Sequence, residues 1–200
     1  FNNPINLILS GNDSNEIIRY TIDATEPSNN SPIYSNPIVI NKNSNIRAKI
    51  FSNNKLPSQI FTKSYIFNSN HQLDVVSLTT DPENLFDEDT GIYVFGPYGT
   101  YDTNQPYFGA NFWEDWEKPV HLAFYNKDDD DFAEFNAGIK IFGGWSRGQN
   151  DQRSLAIFAR GQYGYSEFKH SFFEELNYKK FQSLVLRNSG QDWLKSSMKD

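Results

Sequence analysis

Two strand-like runs, joined by a connection that carries glycine and arginine, dominate residues 137–160. The first run alternates apolar residues at 137, 139 and 141 with Gly138 and Lys140, which predicts a half-buried β-strand. The second run, residues 155–159, is apolar throughout and predicts a central strand. This part of the chain is therefore predicted to fold as a β-hairpin with a long connection.

The connection contains residue types that can bind phosphate. Glycines allow a backbone to approach a ligand closely, and amide, hydroxyl and guanidinium groups donate hydrogen bonds to phosphate oxygens. The same residues also suit a plain hairpin turn with solvated arginines, because short glycine motifs often occur without a ligand. The candidate residues are Gly143, Gly144, Ser146, Arg147 and Arg153.

The composition predicts a mostly β protein. The 200 residues include 17 Phe and 11 Tyr with many Ile and Thr, and such residues favour strands. The formal net charge of -7 argues against a nucleic-acid or anionic-membrane partner, because each of these needs a basic face. The absence of cysteine excludes disulfides and a cysteine-based zinc site, and no apolar run has the length of a membrane span.

Residues 1–67 contain short strand-like runs separated by clusters of Asn, Ser, Pro and Gly. In the fourth run, apolar residues at 46, 48 and 50 share one face, and Arg47 and Lys49 share the other. This regular spacing predicts a small β-sandwich. The runs are 6–10, 17–22, 37–40, 45–51 and 61–67.

A spaced set of residues within this region consists of Tyr20, Thr21, Asp23, Glu26, Pro27, Ser31, Tyr34, Pro37, Ile38 and Ile46. With this set, residues 4–67 resemble the chitobiase C-terminal-like domain, an immunoglobulin-like module of secreted bacterial proteins. Ala24 departs from the family pattern, which usually has glycine there. The resemblance implies a spacer or accessory domain beside a catalytic or binding unit, and it leaves a sugar site open.

A second predicted domain, residues 73–200, follows a polar joint at 68–72. Its further predicted strands are 73–78, 92–95, 120–125 and 181–186. Residues 80–86 predict a brief helical turn capped by Thr80 or Asp81. Residues 171–178 and a segment beginning near Gln191 are predicted to be helical.

Other groups of side chains in this domain have a chemical and a plainer interpretation. Asp87, Asp89 and Gly91 imitate part of a calcium loop but lack its remaining ligands, which favours a solvated acidic turn. The acidic run 128–131 could attract a cation, but it is typical of an exposed hairpin tip. Carboxylates at 114, 115 and 117 beside two tryptophans would suit glycoside hydrolysis.

The histidines do not form a metal-binding pattern. His71, His121 and His170 are scattered, and His121 alternates with Leu122 on a predicted strand, where a structural role is the simplest interpretation. A Ser-His-Asp triad stays open, although the sequence has no GxSxG motif.

Four segments from residue 75 onward, namely 75–97, 107–125, 136–164 and 181–193, follow one another in a family-typical order. Together they resemble the CotH kinase family, atypical protein kinases named for a bacterial spore-coat protein. The resemblance implies the β-rich N-terminal lobe of a kinase-like domain. It also implies transfer of the γ-phosphate of ATP to a protein hydroxyl, with Mg²⁺ as cofactor.

The common core of that family falls on Gly143, Ser146 and Arg147 and then on residues 152–154. Phe142 stands where arginine is frequent, and Gln152 and Arg153 stand where two lysines are frequent. Arginine at 153 keeps the positive charge without the compact ammonium group. By resemblance, the nucleotide-binding residues are Gly143, Gly144, Ser146, Arg147 and Arg153.

The acidic catalytic residues of the family lie downstream of residues 188–193, so we expect neither a catalytic residue nor a metal site in these 200 residues. We therefore expect the chain to be part of a longer secreted, periplasmic or surface bacterial kinase that binds ATP and a protein substrate, and to be inactive alone. A hypothesis from another class is a non-catalytic carbohydrate-binding or adhesion protein of the cell surface.

Overall fold

The computed structural model describes residues 1–11, 13, 15–67, 72–101, 107–128, 131–149 and 151–189. The chain forms two compact units, one of Phe1–Asp81 with His121–Glu134 and one of Pro82–Val120 with Phe135–Asp200. Most of the regular structure is β-strand, which confirms the predicted class. Most of the predicted joint at 68–72, His71, the middle of the acidic run and the helix near Gln191 lie outside the described residues, and the predicted division into domains stays a prediction.

Antiparallel strands build the first unit. The strand β4 is central between β2 and β5, β1 pairs with β3, and β6 pairs with β7. Four of these strands match the predicted runs 17–22, 37–40, 45–51 and 61–67 closely, because alternating β-branched and aromatic residues bounded by turn residues favour strands locally. The first strand is shorter than predicted and shares only residues 6 and 7 with the predicted run 6–10. Their bounds are β1 Ile5–Leu7, β2 Ile17–Thr21, β3 Ile38–Ile40, β4 Ser44–Phe51, β5 Phe61–Tyr65, β6 Val75–Thr79 and β7 Lys118–Tyr125, the last of which contributes to both units.

The core of the first unit lies between the β1–β3 pair and the three-stranded sheet. Its buried centre consists of Ile40, Ile46, Tyr65 and Phe67. Ile5, Leu7 and Ile38 pack against that centre from the β1–β3 pair. Two antiparallel layers with interdigitating apolar side chains form a β-sandwich, as predicted.

Ala24 explains why glycine is expected at its position. Its φ of 67° lies in the left-handed region, where a Cβ is unfavourable and glycine is at ease. The Ala24 carbonyl accepts a hydrogen bond of 2.7 Å from Nη1 of Arg47. Burial lowers the pKa of Arg47, while Glu26 and Asp81 oppose that effect. The polar face of β4 is therefore partly covered as well.

The second unit is organised around a three-stranded antiparallel arrangement. Strand β9 lies between β8 and β12, which confirms the prediction of a central strand, and β10 pairs with β11. Ile139 and Ile157 face each other in the β8–β9 register and are almost fully buried. The bounds are α1 Pro82–Phe86, β8 Phe132–Phe142, α2 Ser146–Gln149, β9 Ser154–Phe158, β10 Phe168–Lys169, β11 Lys180–Phe181 and β12 Ser183–Leu186.

The helical turn expected at 80–86 forms as α1, with Pro82 at its first position. The strand expected at 92–95 does not form. Its first two backbone N–H groups instead donate to the end of α1, from Ile92 to Asn84 O (3.0 Å) and from Tyr93 to Leu85 O (2.9 Å). Carbonyls at the end of a helix lack partners within the helix, and these two hydrogen bonds supply them. The segment therefore forms turns beside α1 and does not form a strand.

The helix expected at 171–178 is absent as well. The N–H of His170 donates to Lys179 O (3.0 Å), which closes the segment as a loop. Phe172 turns into an aromatic cluster with Phe135, Phe168 and Phe181. Aromatic residues have modest helix propensity, and burial of this ring outweighs it. No helix among the described residues is long and apolar enough to cross a membrane.

Candidate anion site in the connection between strands β8 and β9

The connection between β8 and β9 begins with a left-handed glycine. Gly143 has a φ of 109°, and a Cβ there would stand 2.8 Å from Oγ of Ser146. Gly144 is exposed and has open space where a side chain would lie, and its carbonyl accepts the N–H of Arg147 (3.0 Å). The predicted hairpin is confirmed, but its connection contains the short helix α2, which the sequence did not predict.

Arg147 fastens this connection to a 3-10 turn formed by Asn111–Trp113. Its Nε donates to Gly143 O (2.6 Å), and its Nη1 lies 3.3 Å from both Phe112 O and Trp113 O. The guanidinium carbon is also 5.3 Å from the centroid of the Trp113 ring. Burial lowers the pKa of Arg147, and the charge of Asp115 acts in the opposite direction. Arg147 is thus a structural clamp.

Arg153 is the last residue of the connection before β9, and its side chain lies against the same 3-10 turn. Its guanidinium carbon is 4.1 Å from the centroid of Phe112 and 5.1 Å from that of Tyr93. The Arg153 backbone N–H donates to the Tyr93 hydroxyl (2.7 Å), and its Nη1 donates to Asp151 O (3.2 Å). Its Nε is buried without a hydrogen-bond partner among the described residues. Burial lowers the pKa of Arg153, with Tyr93 and then Asp151 opposing.

The geometry brings the two predicted arginines to one place. Both contact Phe112, one through its carbonyl and the other over its ring. Within the described part of the chain, neither guanidinium has a carboxylate at ion-pair distance. Half-buried positive charge that lacks a carboxylate partner favours an anionic ligand, since the anion would supply the missing compensation.

Asn111 holds the turn on which both arginines rest. It is 2 % exposed, and its Nδ2 donates to Glu88 O (2.9 Å) and Gly91 O (3.1 Å). Its backbone N–H donates to Phe95 O (3.0 Å). A buried amide with its donors satisfied is costly to replace.

The sequence did not single out Tyr93, Phe112 or Asn188, which complete the surroundings of Arg153 and Ser154. Asn188 Nδ2 donates to Gln152 O (2.7 Å), and Asn188 Oδ1 accepts from Ser154 Oγ (2.9 Å). Tyr93 is separated from Arg153 by 60 positions, so no local spacing could reveal the contact. The signal available in the sequence was an asparagine directly before two large aromatic residues, Asn111-Phe112-Trp113, whereas the burial of Asn111 is visible only in the structure.

A second set of cations in the same unit has carboxylate partners. Lys140 pairs with Asp115, and Arg160 Nε lies 2.7 Å from both carboxylate oxygens of Glu117. Lys140 and Arg160 lie over the Phe158 ring at 5.4 and 4.8 Å. The hydrogen bond from Lys140, followed by its charge, lowers the pKa of Asp115. This direction is opposite to the one a glycosidase general acid needs.

Other candidate side chains fit their plainer interpretations. Asp87 Oδ1 accepts hydrogen bonds from the N–H groups of Asp89 (3.1 Å) and Thr90 (2.8 Å), so this acidic segment closes a turn on itself. His121 lies 3.9 Å from Glu134, whose carboxylate pairs with Lys63 at 2.8 Å. Among the described residues, no three His, Cys, Asp or Glu side chains form a group that could hold a metal ion.

Comparison with known proteins bears on the first unit. Residues 7–65 match the family described as Fn3 associated, and the match covers most of the sandwich strands β1–β5. It agrees with the two-layered antiparallel architecture of this region. No curated protein and no solved structure matches the chain. Residues 7–65 are therefore similar to a domain associated with fibronectin-like sandwiches.

Proposed function

We propose that the second unit is the nucleotide-side lobe of a CotH-like protein kinase and binds the phosphates of ATP through Arg153. The sandwich of the first unit would be an accessory domain of a secreted, periplasmic or surface bacterial protein. The observation that carries the proposal is the half-buried positive charge of Arg147 and Arg153, which lacks a carboxylate partner among the described residues. The resemblance of residues 75–193 suggests which anion this charge would meet.

The two arginines have different roles in this proposal. Arg147 donates to three carbonyls and positions the connection and the 3-10 turn. Arg153 rests on the Phe112 ring, which supports its guanidinium without neutralising it. The exposed Gly144 backbone allows close approach of a phosphate, since nothing occupies the space beside it.

Mg²⁺ would arrive with the nucleotide. Phosphoryl transfer needs carboxylates that hold the metal and a group that positions the acceptor hydroxyl, and the described residues do not supply such a metal-binding group. We therefore propose that this chain binds ATP without transferring its γ-phosphate to a protein. Incubation with radiolabelled ATP and a protein acceptor should then leave the acceptor unlabelled.

Calorimetric titration of Mg-ATP into the purified chain tests the site. Saturable binding is expected, and Arg153→Ala should weaken it by about tenfold or more, since a hydrogen bond to a charged group contributes about 1.5–3 kcal/mol. Arg160→Ala is the matched control, because Arg160 is already paired with Glu117. The Arg160→Ala variant should bind Mg-ATP with an affinity within about twofold of that of the wild type.

Two further measurements locate the interaction. Inorganic tripolyphosphate should bind the wild-type chain and show the same loss on Arg153→Ala, because the phosphates carry the interaction. Raising the salt concentration should weaken binding through charge screening. Equal affinity of the wild type and Arg153→Ala, or no binding of Mg-ATP at all, would contradict the proposed site.

A further inference from the structure

The first unit contains a cleft that is separate from the proposed phosphate site. Its volume is about 310 Å³, which is in the range of small-molecule sites. Its described lining comes from β2, from the turn before β3 and from the hairpin turn that joins β4 to β5. Asn12 and Ser14, the undescribed positions nearest to this lining in sequence, are uncharged. We call this feature the sandwich cleft and define it as residues 17, 19, 29, 51–55 and 57.

Short-range hydrogen bonds fix the two turns that line the cleft. In the turn before β3, the N–H of Ser28 donates to Ser31 Oγ (2.9 Å), and the N–H of Ser31 donates to Ser28 O (3.1 Å). At the hairpin, the N–H of Ser58 donates to Ile50 O (3.0 Å), and Ser58 Oγ accepts the N–H of Ile50 (2.9 Å). Asn54 has a φ of 62°, a left-handed conformation that asparagine adopts more readily than most residues. The cleft is therefore built on ordered turns.

Two cations line the sandwich cleft without a carboxylate partner. Arg19 donates from Nη1 to Ser31 O, and Lys55 is exposed. Within the described residues, neither cation is at ion-pair distance from a carboxylate, and no acidic residue lines the cleft. Lys49, which stands opposite Arg19 in the β2–β4 register, is instead paired with Glu26 at 2.8 Å. Uncompensated positive charge in a cleft favours an anionic ligand.

Neutral polar side chains indicate that this anion also carries hydroxyl groups. Asn29, Asn53 and Asn54 line the cleft, and their side-chain amides make no hydrogen bond within the described part of the chain. An amide both donates and accepts, whereas a fully ionised phosphate only accepts. A bare phosphate would leave the amide oxygens without donors, but sugar hydroxyls would supply them. A uronic acid combines a carboxylate and hydroxyl groups on one ring.

An acidic peptide fits the cleft less well, because its backbone would find no open strand edge there. Strand β2 is at the edge of the three-stranded sheet, but the segment before β3 already covers it. The N–H of Tyr20 donates to Pro32 O (3.2 Å), and the N–H of Tyr34 donates to Ile18 O (2.8 Å). Extended peptides commonly bind by adding a strand to an exposed edge. The cleft therefore favours a sugar over a peptide as the carrier of the carboxylates.

We infer that the sandwich cleft binds a uronic-acid polysaccharide. Arg19 and Lys55 bind its carboxylates, and the three asparagines exchange hydrogen bonds with its hydroxyls. Ile17 and Phe51, which oppose each other in the β2–β4 register, offer an apolar surface to the C–H face of a pyranose ring. The inference is independent of the proposed function, since the cleft shares no residue with the phosphate site and lies in the other unit.

Calorimetric titration of the chain with oligogalacturonate and oligoalginate at low salt tests this inference. At least one of the two should bind saturably, and the methyl ester of the same oligomer should bind about tenfold more weakly or less, because its carboxylates are neutral. Arg19→Ala should weaken binding about tenfold and Lys55→Ala about threefold, since Lys55 is the more exposed. The matched control is Lys42→Ala, which removes an exposed positive charge of the same unit outside the cleft and should change the affinity by less than about twofold.

A second pair of titrations separates the cleft from the phosphate site. Arg153→Ala should bind the uronate as the wild type does, and Arg19→Ala should keep the affinity of the wild type for Mg-ATP. Near-ultraviolet circular dichroism checks the fold of each variant, and Lys55→Ala, which removes an exposed side chain, tests the cleft if Arg19→Ala folds poorly.

Three results would overturn the inference: no binding of either uronate, equal affinity for the methyl ester, or unchanged affinity in both cleft variants. Inorganic tripolyphosphate or oligoglutamate that binds more tightly than either uronate, and loses its affinity in Arg19→Ala, would overturn it as well. Such a result would assign the cleft to a phosphate or to an acidic peptide.

Discussion

Two sets of cations in the second unit stabilise positive charge in different ways. Lys140 and Arg160 pair with Asp115 and Glu117 around the Phe158 ring. Arg147 and Arg153 rest on aromatic rings and donate to backbone carbonyls. We call the first set the paired cations and the second the ring-backed arginines.

The difference teaches where an external anion would be stabilised. A paired cation already has its compensating charge, and an anion would have to displace a carboxylate. A carbonyl or a ring face provides only partial negative charge, so a ring-backed arginine keeps most of its attraction for phosphate. The kind of partner, more than the number of arginines, therefore separates the candidate site from an ordinary surface network.

Among the substitutions that test this comparison, Arg147→Ala should have the largest effect on the stability of the folded chain. It would leave three backbone carbonyls without their guanidinium donor and detach α2 from the 3-10 turn. We expect the free energy of unfolding to fall by about 2–3 kcal/mol, the cost of losing hydrogen bonds to a charged group. Urea denaturation followed by tryptophan fluorescence measures it.

Arg147→Lys serves as the charge-preserving control for that experiment. Lysine keeps the positive charge but cannot reach several acceptors with a rigid planar fork, so it should recover only part of the lost stability. Full recovery by lysine would show that charge alone matters at this position and would weaken the description of Arg147 as a clamp.

A smaller effect is expected for Tyr93→Phe. The hydroxyl accepts the backbone N–H of Arg153, whereas the ring supports the guanidinium, and this substitution removes only the first interaction. We expect a loss of about 1 kcal/mol in the free energy of unfolding. Tyr178→Phe, at an exposed tyrosine, should cause no measurable loss, and an equal loss in both variants would contradict a specific role of the Tyr93 hydroxyl.

The smallest effect on stability is expected for Asp115, the carboxylate that pairs with Lys140 among the paired cations. Its pKa is lowered from 3.8 in the folded chain, so its contribution to stability is complete above the unfolded pKa and is lost as the pH falls through the folded pKa. The wild type should be slightly more thermostable than Asp115→Asn at about pH 6, and the difference should vanish under strongly acidic conditions. Thermal unfolding across this pH range measures it, and a difference that grows on acidification would refute the assignment.

Local patterns predicted the strands well and the segments of mixed preference poorly. The runs at 17–22 and 45–51 form β2 and β4, because the alternation of apolar and polar residues that favours a strand lies within each run. The segment 92–95 looked equally strand-like, yet its backbone groups bind the end of α1. The loop at 171–178 was misjudged because burial of Phe172 depends on rings from other elements.

The ligand-binding role of the candidate residues stays a prediction, and their surroundings could not be predicted from the sequence. Gly143, Gly144, Ser146, Arg147 and Arg153 do form one connection, but their individual roles could not be separated by residue type. Arg147 and Arg153 look alike in sequence, and only the 3-10 turn at Asn111–Trp113 makes one a clamp and leaves the other over a ring. Asp115 and Glu117 looked like candidate acids until their cationic partners became visible.

By itself, the sequence determined the β-rich class, the sandwich strands and the position of the connection between β8 and β9. Those features depend on periodicity, turn residues and glycine content, all of which are local. Only the tertiary structure decided which cations are compensated, because each decisive contact joins distant positions: Arg160 and Glu117 are 43 residues apart, and Arg147 and Phe112 are 35 apart. Charge pairing is set by distance and burial in space, and both are established only when the strands and loops have packed.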